Sequence, residues 1–360
     1  MTDPRLTPLA AALPATVPFV GPETLERRRG APFAARLGAN ENGFGPSPQA
    51  LEALQKAAPD AWMYPDPECH ELKTALAAHH GLDAEHIVVG EGIDGLLGWL
   101  VRLTVAPGTT VVTSSGAYPT FDYHVTGYGG TLSKVPYRDD KEDPQALIAR
   151  AAETGARLIY LANPDNPTGS VHDAATVERM VAAVPDGALL ILDEAYLGCD
   201  AGTPHPCIVP DDPRVIRMRT FSKAYGLAGL RIGYAIGPKP LIAAFDRVRN
   251  HFGVARMSQD AALAALADDA WLAEVQTRIA ASRDRIADIA ERAGMTPLPS
   301  VTNFVACDCG DAARAGQVMD CLEAAGIFAR RPGTPPLDRL VRISCGPEAD
   351  MALLERALLG

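Results

Sequence analysis

Six short runs that are apolar on both faces constrain this chain more than any other feature. HIVV at 86–89, TVVTS at 110–114, RLIYLA at 157–162, ALLILD at 188–193, VIRMRT at 215–220 and RIGYAIG at 231–237 are separated by stretches with helical spacing, such as ECHELKTALAAHHG. A strand buried on both faces needs helices above and below it, and parallel strands need long crossovers, which helices supply. The chain is therefore predicted to be α/β, with a mostly parallel central sheet flanked by helices. Residues 1–45 contain many Pro and Gly and lack a strong period, so they read as an arm, ahead of a large domain at 46–250. A linking helical region at 251–293 carries Trp271, Leu272, Val275, Ile279, Ile286 and Ile289 at an approximate helical period, with a stop at Gly294. Residues 294–360 read as a smaller α/β unit: strand NFVAC, helix AGQVMDCLEAAG, strands IFAR and LVRISC, and helix PEADMALLERALL. The arm is expected to pack with this unit.

At 360 residues the chain is long enough for two domains. With 44 acidic against 33 basic residues the formal charge is -11, which argues against a nucleic-acid or anionic-membrane surface. The seven cysteines (Cys69, Cys199, Cys207, Cys307, Cys309, Cys321 and Cys345) are odd in number and scattered, which fits reduced thiols in a cytoplasm. Cys307 and Cys309 are two apart, but no partner pattern accompanies them, so they read as small core residues and no metal is expected. The N-terminal PLAAALPATVPFV is mildly apolar, yet its prolines and the lack of a basic leader argue against a signal peptide, and no stretch has membrane-spanning length.

Open parallel sheets bind ligands beyond the carboxyl ends of their strands, so the residues after each run carry the functional expectation. After HIVV, GEGIDGLLGWL opens a helix, and the free N–H groups of Gly92, Ile93 and Asp94 with the helix dipole suit a phosphate; a plain turn reads the same way. After RLIYLA, NPDNPTG presents the amides of Asn163 and Asn166 on a loop stiffened by two prolines. After ALLILD, Asp193 ends an apolar strand, where an ionised carboxylate needs a partner. In TFSKAYGLAGLRIGY, Lys223 is an amine at a buried strand end, where lost solvation favours its neutral, nucleophilic form. An isolated lysine there would snorkel to water. An acid, an amide, a phosphate-type helix terminus and Arg231 converging with it suit an aldehyde-bearing, phosphorylated pyridine ring.

The ordered motifs ANENGFGPSP (39–48), YPDP (64–67), GEGIDG (90–95), NPDNPTG (163–169), DEAY (193–196), TFSKAYGLAGLRIGY (220–234) and LVRISCG (340–346) resemble the fold-type I pyridoxal-phosphate aminotransferases of class I/II. Within that group the chain is most similar to the histidinol-phosphate aminotransferase branch. The resemblance implies that pyridoxal 5'-phosphate is held covalently by Lys223, which also carries the substrate's α-proton. It implies that Asp193 pairs with the ring nitrogen, that Asn166 and Tyr196 bond the phenolic oxygen, and that Tyr118 stacks on the ring. Ser222, Arg231 and the amides of Gly92, Ile93 and Asp94 would hold the phosphate. Tyr64 would reach the phosphate in a neighbouring subunit, which implies a two-fold dimer with shared sites. Arg342 would clamp the substrate carboxylate with Asn40 nearby, and Arg330 aligns with a second substrate-side arginine suited to a substrate phosphate; with Arg331 it also reads as a solvated loop pair. The partners implied are a small-molecule amino donor and a 2-oxo acid.

Many members read close to GSDE where this chain has GIDG, a difference expected to alter helix packing near the substrate entrance. Aromatic amino-acid transamination and a phosphothreonine-type decarboxylation share the same cofactor apparatus. A ligand sensor within a transcription regulator would need a basic DNA-binding segment, which the arm does not provide.

Overall fold

The computed structural model describes residues 5–14, 19–203 and 205–360. Positions 1–4, 15–18 and 204, which include parts of the expected arm and of the stretch read against a signal peptide, lie outside the described residues.

All six expected runs form strands of one seven-stranded sheet. In chain order these are β1 (Ile87–Gly90), β2 (Thr110–Ser114), β3 (Thr131–Val135), β4 (Leu158–Ala162), β5 (Leu189–Asp193), β6 (Val215–Thr220) and β7 (Gly233–Ile236), and they lie side by side as β1-β7-β6-β5-β4-β2-β3. The strand missing from the sequence reading is β3, a sheet edge whose residues Thr131 and Lys134 face solvent, so it lacks the doubly buried signature. The alternation of side chains divides the core by face. Leu158, Tyr160 and Ala162 pack with Leu189, Ile191, Ile216 and Met218 under helix Gly92–Thr104. Ile159, Leu161, Leu190 and Leu192 pack on the other face with Leu147, Val177 and Val181 of helices Pro144–Thr154 and Ala174–Ala182.

One strand departs from the parallel expectation. β7 runs antiparallel to both β1 and β6. Residue types do not encode strand direction, and the 221–232 connection holds a single 3-10 turn, Ala228–Leu230, and no crossover helix of the kind that usually joins parallel neighbours. The reversal has a functional consequence, because it brings the residues that precede β7 to the same sheet edge as the residues that follow the parallel strands.

The expected linking helical region is two helices, Arg256–Leu266 and Asp269–Arg292. The break falls where Asp268 accepts a hydrogen bond from the Trp271 amide at 3.2 Å and so caps the second helix. The first helix packs into the large unit through Ala261, Ala262 and Ala265. The second buries Val275, Ile279, Ile286 and Ile289 against the smaller unit. There, strand Phe304–Asp308 pairs antiparallel with Leu340–Ser344 and Thr296–Pro297, and helices Ala312–Ala324 and Glu348–Leu359 complete the layer. Cys307 and Cys309 are buried in this core. Of IFAR, Ile327–Phe328 pairs in parallel with Ala35–Arg36 of the N-terminal segment, and Arg330 bridges to Arg342. The chain entering at Leu37 also receives the Ser344 amide at 2.8 Å.

Candidate active site

A cleft of about 700 Å³ opens at the carboxyl edge of the parallel strands, between the sheet and the smaller unit. Its lining includes Asn40, Ile93, Asp94, Tyr118, Asn166, Asp193, Tyr196, Ser222, Lys223, Arg231, Arg330 and Arg342. These positions span almost the whole chain, and the topology explains the convergence. Asn166 follows β4, Asp193 and Tyr196 end and follow β5, Ser222 and Lys223 follow β6, and Tyr118 follows β2. Arg231 precedes β7; had that strand been parallel, Arg231 would lie at the opposite edge. Instead its Nη1 lies 3.4 Å from Ser222 Oγ.

The electrostatics single out two residues. Asp193 and Glu194 are adjacent and both buried, yet they are treated oppositely. Burial would raise the Glu194 carboxyl, but Arg219 at 2.7 Å and Arg217 at 2.8 Å outweigh it and hold it below the usual carboxylate range. Among the described residues Asp193 has no ion-pair partner. It accepts only from the Tyr160 hydroxyl at 2.7 Å and the Ala195 amide at 3.0 Å, and burial pushes it up to about 6. A buried acid left without a cation, on the wall of a cleft, fits a ligand that brings a positive charge. Lys223 shows the complementary state. Burial, followed by the Arg342 charge, brings its amine down to about 8, and its Nζ donates to the Asn40 carbonyl at 3.2 Å. Near neutral pH a useful fraction of this amine is therefore uncharged and nucleophilic.

Helix Gly92–Thr104 has no side-chain cap, which leaves its first-turn N–H groups for another acceptor. Gly92 adopts φ +75°, and a Cβ there would lie 2.7 Å from Arg231 Nη2. The bare backbone and the arginine thus form one cradle beside Ser222, the donor set a phosphate requires. The residues present fit pyridoxal phosphate at each end: amides, hydroxyl and guanidinium for the phosphate, an unpartnered acid for the ring nitrogen, and a depressed amine for the aldehyde. Half-buried Tyr118 flanks this space, and burial raises its hydroxyl above the usual range.

The opposite wall is cationic. Asn40, at φ +54°, is locked to Ser344 by two contacts of 3.0 Å and donates to the Tyr196 hydroxyl at 2.8 Å. Arg342 donates to Asn166 Oδ1 and, at 2.9 Å, to the Gly38 carbonyl. Arg330 is paired across from it on the backbone, is half-buried, lies 4.1 Å from the Phe19 ring centroid and donates to the Val20 carbonyl. It is thus packed into the wall, whereas Arg331 is exposed and turns its Nη1 to the Ala312 carbonyl at 3.0 Å. Among the described residues neither Arg330 nor Arg342 has a carboxylate partner, and each has a buried Nε without an acceptor. Adjacent like charges without a counterion favour an anionic ligand. Tyr64 does not line this cleft. It is 76% exposed and stacks on Phe252 at 4.7 Å on the outer surface.

Three supporting residues escaped the sequence reading. Tyr160 lies diagonally from Asp193 on the same sheet face, as the Ala162 to Asp193 register requires. A lone phenol inside an apolar strand, which must find a buried partner, was the available signal. Asn303 holds the Asn40 carbonyl at 3.0 Å and Ser344 holds its side chain, but both contacts cross about 260 to 300 residues of sequence and leave no local trace.

Comparison with known proteins agrees with this geometry. The family model described as aminotransferase class I and II matches residues 35–358. A histidinol-phosphate aminotransferase from Roseiflexus castenholzii is 38% identical over 97% of this chain and 96% of its own length. One from Moorella thermoacetica is 32% identical over 99% and 93%. The crystal structure of histidinol-phosphate aminotransferase from Sinorhizobium meliloti in complex with pyridoxal-5'-phosphate superposes with a TM-score of 0.96 at 53% identity, covering 99% of this chain and 97% of that one. A Thermus thermophilus aspartate aminotransferase, 24% identical with a TM-score of 0.78 over 92% and 97% of the two chains, shares the fold.

Proposed function

This chain belongs to the class I and II aminotransferases, and on that premise we propose that it uses pyridoxal 5'-phosphate to move the amino group of histidinol phosphate to 2-oxoglutarate. The observation that carries the reading is the presence, in the lining of one cleft, of a lysine whose pKa burial brings down to about 8 and of a buried acid without an ion-pair partner. When bound, the cofactor supplies an electron sink for the pair left by α-proton removal. The protein's own residues would do the rest. Lys223 Nζ would hold the aldehyde carbon and, once released by the incoming amine, would take the α-proton. Asp193, oriented by Tyr160, would keep a proton on the ring nitrogen. Ser222, Arg231 and the Gly92, Ile93 and Asp94 amides would anchor the phosphate, with Tyr118 against the ring and Asn166 and Tyr196 at its oxygen.

Arg342, beside Asn40 and Asn166, and Arg330 would share the phosphate of histidinol phosphate and, in the second half-reaction, the two carboxylates of 2-oxoglutarate. Two guanidiniums without a carboxylate partner support a doubly charged substrate, a phosphate monoester or a dicarboxylate, over a monoanion. Engagement of both would draw the smaller unit over the cleft and exclude water. The stacked pair of Tyr64 and Phe252, 76% and 51% exposed, forms an outer aromatic patch that supports a two-fold dimer in which Tyr64 completes the neighbouring site. Among the described residues no helix is long and apolar enough to cross a membrane; with the scattered free cysteines, this supports a cytoplasmic enzyme.

A donor screen tests the substrate. Histidinol phosphate with 2-oxoglutarate is expected to yield glutamate, and the amine alone is expected to convert bound cofactor to its pyridoxamine form. Inert histidinol phosphate alongside reactive phenylalanine or tyrosine would discard the substrate and keep the reaction class. Carbon dioxide release without the pyridoxamine form would move the protein to the decarboxylases.

A further inference from the structure

Gly98 lies in the middle of helix Gly92–Thr104, a position where glycine is ordinarily unfavourable. A Cβ there would stand 2.9 Å from Cε1 and 3.1 Å from Nδ1 of His124, so the missing side chain is what admits the imidazole. From that seat His124 Nε2 lies 2.9 Å from Oδ1 of Asp94, one turn earlier on the same helix face. A carboxylate oxygen only accepts, so Nε2 carries the hydrogen. The His124 side chain is largely covered, while that of Asp94 is 44% exposed and lines the cleft. His124 belongs to helix Pro119–Gly127, whose N-cap is Tyr118. One hydrogen bond therefore joins the helix whose first turn faces the cleft to the helix that follows the aromatic wall.

We propose that His124 is a positioning residue for the phosphate cradle: seated over Gly98, it draws the Asp94 carboxylate aside and fixes the first turn of the cradle helix against the element that bears Tyr118. The proposal rests on the reading of Arg231 and the Gly92–Asp94 amides as the phosphate site. The physical need is specific. A carboxylate in the first turn suits the helix dipole but repels a phosphate at the same amides, and a donor outside the cradle holds it where it does neither harm nor competes for those N–H groups.

The test compares dissociation constants of pyridoxal 5'-phosphate and of pyridoxal, which lacks the phosphate, measured by absorbance on the apo-protein. His124→Ala is expected to weaken pyridoxal-phosphate binding roughly tenfold, the size of one hydrogen bond to a charged group, with pyridoxal binding little changed. His124→Gln, whose amide nitrogen reaches about as far, should restore most of it. Gly98→Ala should weaken binding in the native background and add nothing to His124→Ala. Arg231→Ala is the control. If it loses pyridoxal phosphate selectively while His124→Ala binds normally, the proposal fails and the phosphate site stands. Equal weakening of both ligands by His124→Ala would reduce the histidine to a general structural role and overturn the proposal. If Arg231→Ala also leaves the preference for the phosphorylated ligand intact, the phosphate site itself is misplaced.

Discussion

Replacing Lys223 with alanine is expected to abolish the long-wavelength absorbance of the bound cofactor and to lower kcat by at least roughly 10⁴-fold, the upper range of a positioned proton-transfer group. The size of the effect follows from the absence of a substitute. Lys56, Lys134 and Lys239 are ion-paired on the surface with Glu52, Asp122 and Asp83. None of the other five lysines, Lys73 and Lys141 included, lies in the lining of the cleft. Cofactor affinity should fall less than turnover, because the cradle around Gly92, Ser222 and Arg231 does not depend on the lysine. Absorbance titration and steady-state rates on the same variant separate the two. A variant that keeps both its colour and its rate would remove Lys223 from its role.

Asp193→Asn should split stability from function. Turnover is expected to fall by about 10³-fold, since the preorganised charge proposed to face the ring nitrogen is lost while shape is kept. The apo-protein should move the other way. The Asp193 carboxyl is raised to about 6 in the fold from a reference of 3.8, so the cost of ionising it is fully present above about pH 6 and is relieved as pH falls toward the reference value. An amide cannot ionise, and its nitrogen can donate to the Tyr160 hydroxyl in place of the bond that the carboxylate accepted. Apo Asp193→Asn at pH 8 should therefore be more stable than the native apo-protein, by on the order of 2 kcal/mol. Added cofactor should raise the melting temperature of the native protein far more than that of the variant. Thermal denaturation with and without pyridoxal phosphate measures both differences. A variant less stable than the native apo-protein at that pH would show that the acid already has its counter-charge within the chain.

Where the sequence spoke clearly and where it did not follows from the range of the interactions. Asp193 and Lys223 stand out because each is a charged group attached to an apolar run, a conflict visible within a few residues. The six strands stood out for the same local reason. β3 did not, because an edge strand such as Thr131–Val135 exposes polar side chains and resembles a loop. The direction of β7 was hidden because alternation is the same for parallel and antiparallel strands, although Arg231 reaches the cleft only through that reversal. The break at Asp268 was obscured by helical spacing that continues on either side of it. Tyr160 read as one more member of a buried strand, and Asn303 and Ser344 act on Asn40 across most of the chain. The position of Tyr64 has meaning only relative to a second copy, since in its own chain it meets Phe252 on the surface.

The proposed role of Lys223 places its amine, with a pKa lowered to about 8 by burial, at the bond to the cofactor. Apo-protein mixed with pyridoxal phosphate at a series of pH values, reduced with borohydride and mapped by peptide mass, examines that atom directly. A pyridoxyl group is expected on Lys223 alone, with an initial rate of uptake that rises with pH and levels off above about 8, as the uncharged amine becomes the dominant form. Label on a different lysine, or a rate that continues to climb toward pH 10 as for an ordinary solvated amine, would contradict that role.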